Sequence, residues 1–321
     1  MKNWYEPEGS RLQSAENREL TATLSGLERA MNGGIILEGI VTLCDSDLCL
    51  HVDLPCAKGI IEPEEAVYCR AGEERKDIAI ITRVGKPVAF MVIGIETADG
   101  VPTARLSRRL AQQACMQTYL SMLRPGDILP ARVTHLEPFG AFLDIGCGIS
   151  SLLSVDCISV SRISHPRDRL RPGMPLSVAI KSIDRNTGRI YVTLRELLGT
   201  WEENAACFEA GQTVTGIIRS VESYGVFVEL APNLAGLAEL RNENAEDIRA
   251  KIGHTAAVYI KSIVPERMKI KLVLIDTSCS DPLPRQIHYY VDPAVTPHLS
   301  HWLYSPPGSH KIIETCFDEP I

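Results

Sequence analysis

An internal repeat constrains this chain more than any single motif, because self-similarity at a fixed offset decides the architecture before individual residues are weighed. Gly126 to Leu152 (GDILPARVTHLEPFGAFLDIGCGISSL) matches Gly211 to Leu237 (GQTVTGIIRSVESYGVFVELAPNLAGL) at a constant offset of 85. Phe139-Gly140 aligns with Tyr224-Gly225, and Phe142 with Phe227. After a shortening of five residues the match resumes at an offset of 80, pairing Gly173 with Gly253 and Lys181-Ser182-Ile183 with Lys261-Ser262-Ile263. Within a copy, Ala131 to Leu136, Ala141 to Ile145, Leu176 to Ile183 and Arg189 to Leu194 carry β-branched or alternating apolar residues between Gly, Pro and Asn-Thr-Gly turns. About five strands per copy suit a small closed barrel, which removes exposed sheet edges.

A degenerate copy precedes these two. Ile40 to Ile61 shares the early strand spacing, and Gly85-Lys86-Pro87-Val88 lines up with Gly173-Met174-Pro175-Leu176. It lacks the aromatic pair: in the closest register Asp47 and Leu50 stand where Phe139 and Phe142 stand in the middle copy. The resulting division is a degenerate domain at 24–110, a linker helix at 107–123, two full domains at 125–197 and 210–276, and an extension at 277–321 rich in aromatics. That extension holds Tyr289, Tyr290, Trp302, Tyr304 and Phe317 and is expected to pack on the last barrel or on a partner.

At 321 residues the chain has room for two or three domains, and 45% hydrophobic with 23% charged residues describes a folded protein. The formal net charge of −7 disfavours indiscriminate binding to duplex DNA, so a nucleic-acid role requires a local basic face. No apolar run reaches the roughly 18–20 residues that span a bilayer. Met1 to Ser10 (MKNWYEPEGS) has no apolar signal-peptide core, so a cytoplasmic protein with no membrane partner is expected. Ten cysteines form no CxxC pair and mostly lie in apolar runs, which predicts reduced core thiols.

The run Pro125-Gly126-Asp127, Phe139-Gly140-Ala141-Phe142-Leu143-Asp144, Lys181-Ser182-Ile183-Asp184 and Arg189-Ile190-Tyr191-Val192-Thr193-Leu194 closely resembles the S-one domain, the RNA-binding repeat of the ribosomal protein S-one family. The last copy resembles it too, and the layout is similar to that of the short Gram-positive members of the family. The resemblance implies an all-β fold of tandem five-stranded OB-fold barrels of S-one type joined by short linker helices. It also implies binding of single-stranded RNA (mRNA), in connection with translation on the small ribosomal subunit. A ribosome-independent RNA-binding regulator, or an interaction scaffold whose barrels have lost RNA, stays open as an alternative. Terminal repeats of the family also serve protein docking, which the resemblance extends to the first copy.

Every base has a π-face, so an exposed aromatic can stack on single-stranded RNA whatever its sequence, contributing roughly 1–3 kcal/mol per base. Strict alternation would put Phe139 and Phe142 on opposite faces, but Gly140 permits a bulge or a turn-to-strand transition that brings both rings to one surface. The resemblance adds Asp184 and Arg189 to this pair. In the last copy the RNA-binding candidates are Tyr224, Phe227, Lys261 and Lys269, and the basic residues Arg132, Lys181 and Arg219 complete the set. The family's histidine after the third strand is Ser154 here and Glu239 in the last copy, and the Asp184 position becomes Val264 there, all of which argue for weaker binding. The copies carry net charges of −3, +2 and zero in chain order, which favours the middle one. Its loop Ser161 to Arg171 adds Arg162, Arg167, Arg169 and Arg171, either to track phosphates or as a solvated loop with Asp168 as internal partner.

Catalytic signatures are missing: no GxxxxGK[ST], HExxH or GxSxG occurs, and Gly146-x-Gly148 reads as a hairpin. Pairs such as Glu64-Glu65 and Glu202-Glu203 read as solvated faces. His298-x-x-His301, with His310 and Cys316 beyond, has spacing compatible with zinc but no paired cysteines. No catalytic residue, metal or cofactor is therefore assigned, and the protein is expected not to be an enzyme.

Overall fold

The computed structural model describes residues 5–69, 72, 74–98, 100–239, 245–277 and 286–318. Fifteen strands form three closed five-stranded barrels. The first contains β1 Leu37–Cys44, β2 Leu50–Leu54, β3 Ala57–Ile61, β4 Pro87–Ala98 and β5 Val101–Ser107. The second contains β6 Ile128–Glu137, β7 Gly140–Asp144, β8 Ser150–Ser154, β9 Pro175–Asp184 and β10 Arg189–Thr193. The third contains β11 Thr213–Glu222, β12 Gly225–Ala231, β13 Leu234–Ala238, β14 Thr255–Val264 and β15 Lys269–Asp276. Around each barrel the order is first, second, third, fifth, fourth, and the fifth strand runs parallel to the third while its other pairing is antiparallel. This is the OB topology, repeated three times.

Alternation explains the closure. In β10 Ile190 and Val192 are buried, while Arg189 is exposed and Tyr191 half-buried; in β7 Ala141 and Leu143 point inward. A wholly buried Phe90 joins Leu37, Val41, Leu50 and Leu106 inside the first barrel. The third closes on Ile218, Val228, Val258 and Ile260, and Trp302 and Tyr304 of the extension pack into the same cluster.

Helices lie outside the barrels. Ala15–Thr21 and Leu24–Gly33 are capped by the Ser14 and Thr23 hydroxyls, which accept from Asn17 and Gly26 N–H groups. The segment after the first barrel is an α-helix, Arg108–Ala114, capped by Ser107 and continued by a π-turn at Cys115–Tyr119. Helix Trp201–Ala205, before the third barrel, opens with a Thr200/Glu203 capping box.

Two compact units are distinguishable: residues 1–123 with 130–132 and 143–150, and residues 124–129, 133–142 and 151–321. In the first, the buried Glu8 carboxylate grips the Arg108 guanidinium through Nε at 2.6 Å, and Asp144 accepts the Glu8 backbone N–H at 2.7 Å. Among the described cysteines, Cys115, Cys147 and Cys157 are buried, but Cys207 and Cys316 are exposed and the rest half-buried. The expectation of core thiols therefore holds for three positions only, and Cys279 lies outside the described residues.

Candidate nucleic-acid interface

The aromatic pair of the second barrel sits where β6 turns into β7. Phe139 occupies the two-residue turn and Gly140 opens the strand. A Cβ added at Gly140 would lie 2.5 Å from the Leu153 carbonyl oxygen of β8, and one at Gly225 equally close to that of Ala238 in β13. Glycine is required because the neighbouring strand approaches so closely. With the first ring in the turn and the second in the strand, the two share a surface despite their spacing of three. Phe139 stands 54% exposed, edge-on to Phe142 with ring centroids 6.1 Å apart and planes at 89°. Tyr224, 62% exposed, meets Phe227 at 6.2 Å and 88°. Two divergent sequences thus build one geometry.

The surface extends beyond each pair. His135 lies over Phe142 with centroids 6.5 Å apart and planes 25° from parallel, its Nε2 2.7 Å from Glu137. Tyr191 is register partner to Leu152 of β8, the strand next to β7, and Arg189 is exposed two residues before it. The third barrel repeats the row, with Phe227 opposite Leu237 and Leu237 opposite the exposed Lys271. His135, Tyr191 and Lys271 were not among the sequence candidates. The signal for Tyr191 was present: alternation in Arg189 to Thr193 turns residues 189 and 191 outward together.

The remaining candidates divide. Lys181, Lys261 and Lys269 are all exposed, and the Lys181 ammonium rests 3.1 Å from the Cys157 sulfur. The Asp184 carboxylate accepts from the backbone of Asn186 and Thr187 and from the Thr187 hydroxyl. These bonds, the hydroxyl's first, hold it below the usual carboxylate range and make it the organiser of the turn that presents Arg189. Arg132 belongs to the other compact unit, where its guanidinium is 3.3 Å from the Ser10 hydroxyl. Arg219 is 9% exposed, its Nε 2.6 Å from Glu229 and its Nη1 3.5 Å from Asp168. Arg169 makes a two-pronged pair with the same Glu229 at 2.7 and 2.8 Å. Burial would raise the Glu229 carboxyl, but the two guanidinium groups outweigh it and hold it low. Arg219 and Arg169 are therefore internal counter-ions: Arg219 is turned away from the RNA-binding role expected of it, and Arg169, left open by the sequence, has an internal partner in Glu229, while Arg162, Arg167 and Arg171 stay exposed.

Strand pairing also corrects the register of the degenerate copy. Leu43 opposes His51 just after an irregularity, as Ser220 opposes Phe227 in the third barrel. His51 and Leu48, rather than Leu50 and Asp47, are the equivalents of Phe227 and Tyr224; Leu50 is wholly buried. His51 Nε2 is 2.8 Å from Asp45, whose carboxyl is lowered chiefly by that bond.

Three closed OB barrels, two of them bearing an edge-on aromatic pair whose first ring is exposed and whose second is half-buried, define a tandem OB-fold protein. Its residues 123–195 match the S1 RNA binding domain family. Over 196 residues the chain is 31% identical to small ribosomal subunit protein bS1 of Leuconostoc lactis, an alignment covering 58% of this chain and 45% of that protein. It is 33% identical over 159 residues to the small ribosomal subunit protein bS1 homolog of Bacillus subtilis, covering 49% and 41%. The chain thus spans less than half the length of these curated relatives. Among solved structures, a multidomain protein with nucleic acid binding domains from Streptococcus pneumoniae aligns over 75% of this chain and 73% of its own, at 15% identity and a TM-score of 0.24.

Proposed function

We propose that this protein binds single-stranded RNA, mRNA in particular, through the aromatic faces of its second and third barrels, and does so in translation on the small ribosomal subunit. The observation that carries the reading is the repeated edge-on pair, Phe139 with Phe142 and Tyr224 with Phe227, its first ring more than half exposed, on barrels that also expose Arg189 and Lys271. Large rings held in solvent on a rigid strand suit unpaired bases, and the exposed cations beside them suit the phosphates. The match to the S1 RNA binding domain and the ribosomal names of the relatives support the same reading. The role is one of binding without catalysis, and the site of action is the cytoplasm; no described helix is long and apolar enough to cross a membrane.

The scaffold alternative draws support from Ser154 and Glu239 at the family's histidine position and from the withdrawal of Arg169 and Arg219 into ion pairs. Titration of labelled single-stranded RNA separates the two readings. A Phe139→Ala/Phe142→Ala protein should bind at least about tenfold more weakly than wild type, corresponding to loss of one stacked base or more. Equal affinity, with the fold intact by circular dichroism, would defeat the assignment of these rings, and an absence of binding by wild type would favour the scaffold. Co-sedimentation with small subunits tests the ribosomal part.

A further inference from the structure

The C-terminal extension carries donor groups that RNA binding does not use. Two short strands, β16 His301–Leu303 and β17 Glu314–Cys316, pair antiparallel, with His301 opposite Cys316 and Leu303 opposite Glu314. The inner face of this ribbon is fixed. Trp302 is buried in the cluster of the third barrel with the Arg195 guanidinium 6.0 Å from its ring, and the Thr315 hydroxyl bonds Glu196 at 2.9 Å. Backbone bonds from Tyr304 to Ile313 and from Phe317 to Ser300 prolong the pairing at both ends. Alternation then turns His301, Glu314 and Cys316 together onto the outer face. His301 Nε2 is 3.0 Å from Glu314 Oε2, and the imidazole nitrogen, carboxylate oxygen and Cys316 sulfur all lie within 4.8 Å of one another.

That donor set has a chemistry. Tetrahedral zinc takes sulfur at about 2.3 Å and imidazole nitrogen or carboxylate oxygen at about 2.0–2.2 Å, so its ligands stand roughly 3.3–3.7 Å apart. Small side-chain rotations on a fixed backbone reach that spacing. A thiolate, a carboxylate and a neutral imidazole also balance a dication without leaving net charge at the surface. As an ordinary exposed ion pair, His301 and Glu314 would add little stability. The sequence spacing suggested a different set. His298 is instead engaged by Asp127 at 2.7 Å, while His310 lines a separate cleft with Lys269 and Lys311.

We propose that this ribbon is a zinc site, with His301, Glu314 and Cys316 as the protein ligands and water in the fourth position. The inference does not depend on the RNA reading.

Cobalt(II) titrated into the full chain under reducing conditions is the test, because cobalt reports thiolate coordination by near-ultraviolet charge-transfer absorption. One equivalent should bind, give that band, and be displaced by zinc. Cys316→Ser should abolish the band, and His301→Ala and Glu314→Gln should each weaken binding by about tenfold or more. Cys207→Ser, which removes the other exposed thiol among the described residues, should leave it unchanged. Zinc should raise the melting temperature of wild type but not of Cys316→Ser. Absence of stoichiometric binding, or a band that survives Cys316→Ser, would overturn the assignment.

Discussion

Leaving Phe139 and Tyr224 more than half exposed forgoes burial that would contribute roughly 2 kcal/mol or more per ring. On the proposed reading, stacking on a base would recover the loss. Other residues bear on stability through charge. Glu38 is buried in the first barrel, and burial pushes its carboxyl up to about 7 although the Arg11 backbone N–H donates to it. The folded state therefore holds more protons than the unfolded one between about pH 4.5 and 7, and stability falls as pH rises through that window, by of order 3 kcal/mol, then levels off. Asp144, buried beside Glu8, shifts in the same direction. Denaturant midpoints measured from pH 4.5 to 8 should show this decline, shallower in Glu38→Gln; an identical slope in the variant would contradict it. At this scale the sequence was legible where chemistry is local. The Phe139-Gly140-Ala141-Phe142 run announced its rings and its glycine, whereas the inward turn of Arg219 depends on Glu229 in the neighbouring strand, which no spacing near Arg219 reveals.

Between elements, a buried polar link in the second unit joins the loop after β8 to the third barrel. Glu229 of β12 lies between Arg169 of that loop and Arg219 of β11, all nine-tenths or more withdrawn from water. Removing the central carboxylate leaves two buried guanidinium groups without it, so Glu229→Gln should destabilise the protein by about 3–5 kcal/mol. Urea unfolding measures the shift, and a variant as stable as wild type would show that water replaces the carboxylate. The barrels themselves followed from the repeat, since strands of period two bounded by turns have few ways to close. The capped helices ahead of the first barrel did not, although Ser14 and Thr23 stand directly before them, and the T-x-x-E of Thr200 to Glu203 was likewise available. The first barrel's register escaped because the irregularity after Val41 is shared with the third barrel but the turn is one residue longer, five residues between the paired Cys44 and Leu50 against four between Val221 and Val226, a displacement that backbone pairing exposes.

For the whole molecule, two aromatic faces on one chain would make the proposed RNA binding bivalent. Once one barrel holds an RNA, the other meets the same strand at high effective concentration. An OB fold covers about 4–16 nucleotides, so an oligomer of about 30 should bind at least about a hundredfold tighter than one of about 8. Tyr224→Ala/Phe227→Ala should remove most of that gain while leaving the short oligomer's affinity near wild type; an unchanged gain would mean the third barrel takes no part. The first barrel is expected to add nothing here, because its copy carries −3 and places His51, paired with Asp45, where the others place phenylalanine.

Ultraviolet crosslinking of a single-stranded oligomer to the full chain, with the modified residues located by mass spectrometry, tests stacking on these faces most directly. Adducts are expected at Phe139, Phe142 and Tyr191 and, more weakly, at Tyr224 and Phe227. Crosslinks confined to other surfaces, with all five rings unmodified at saturating RNA, would contradict it.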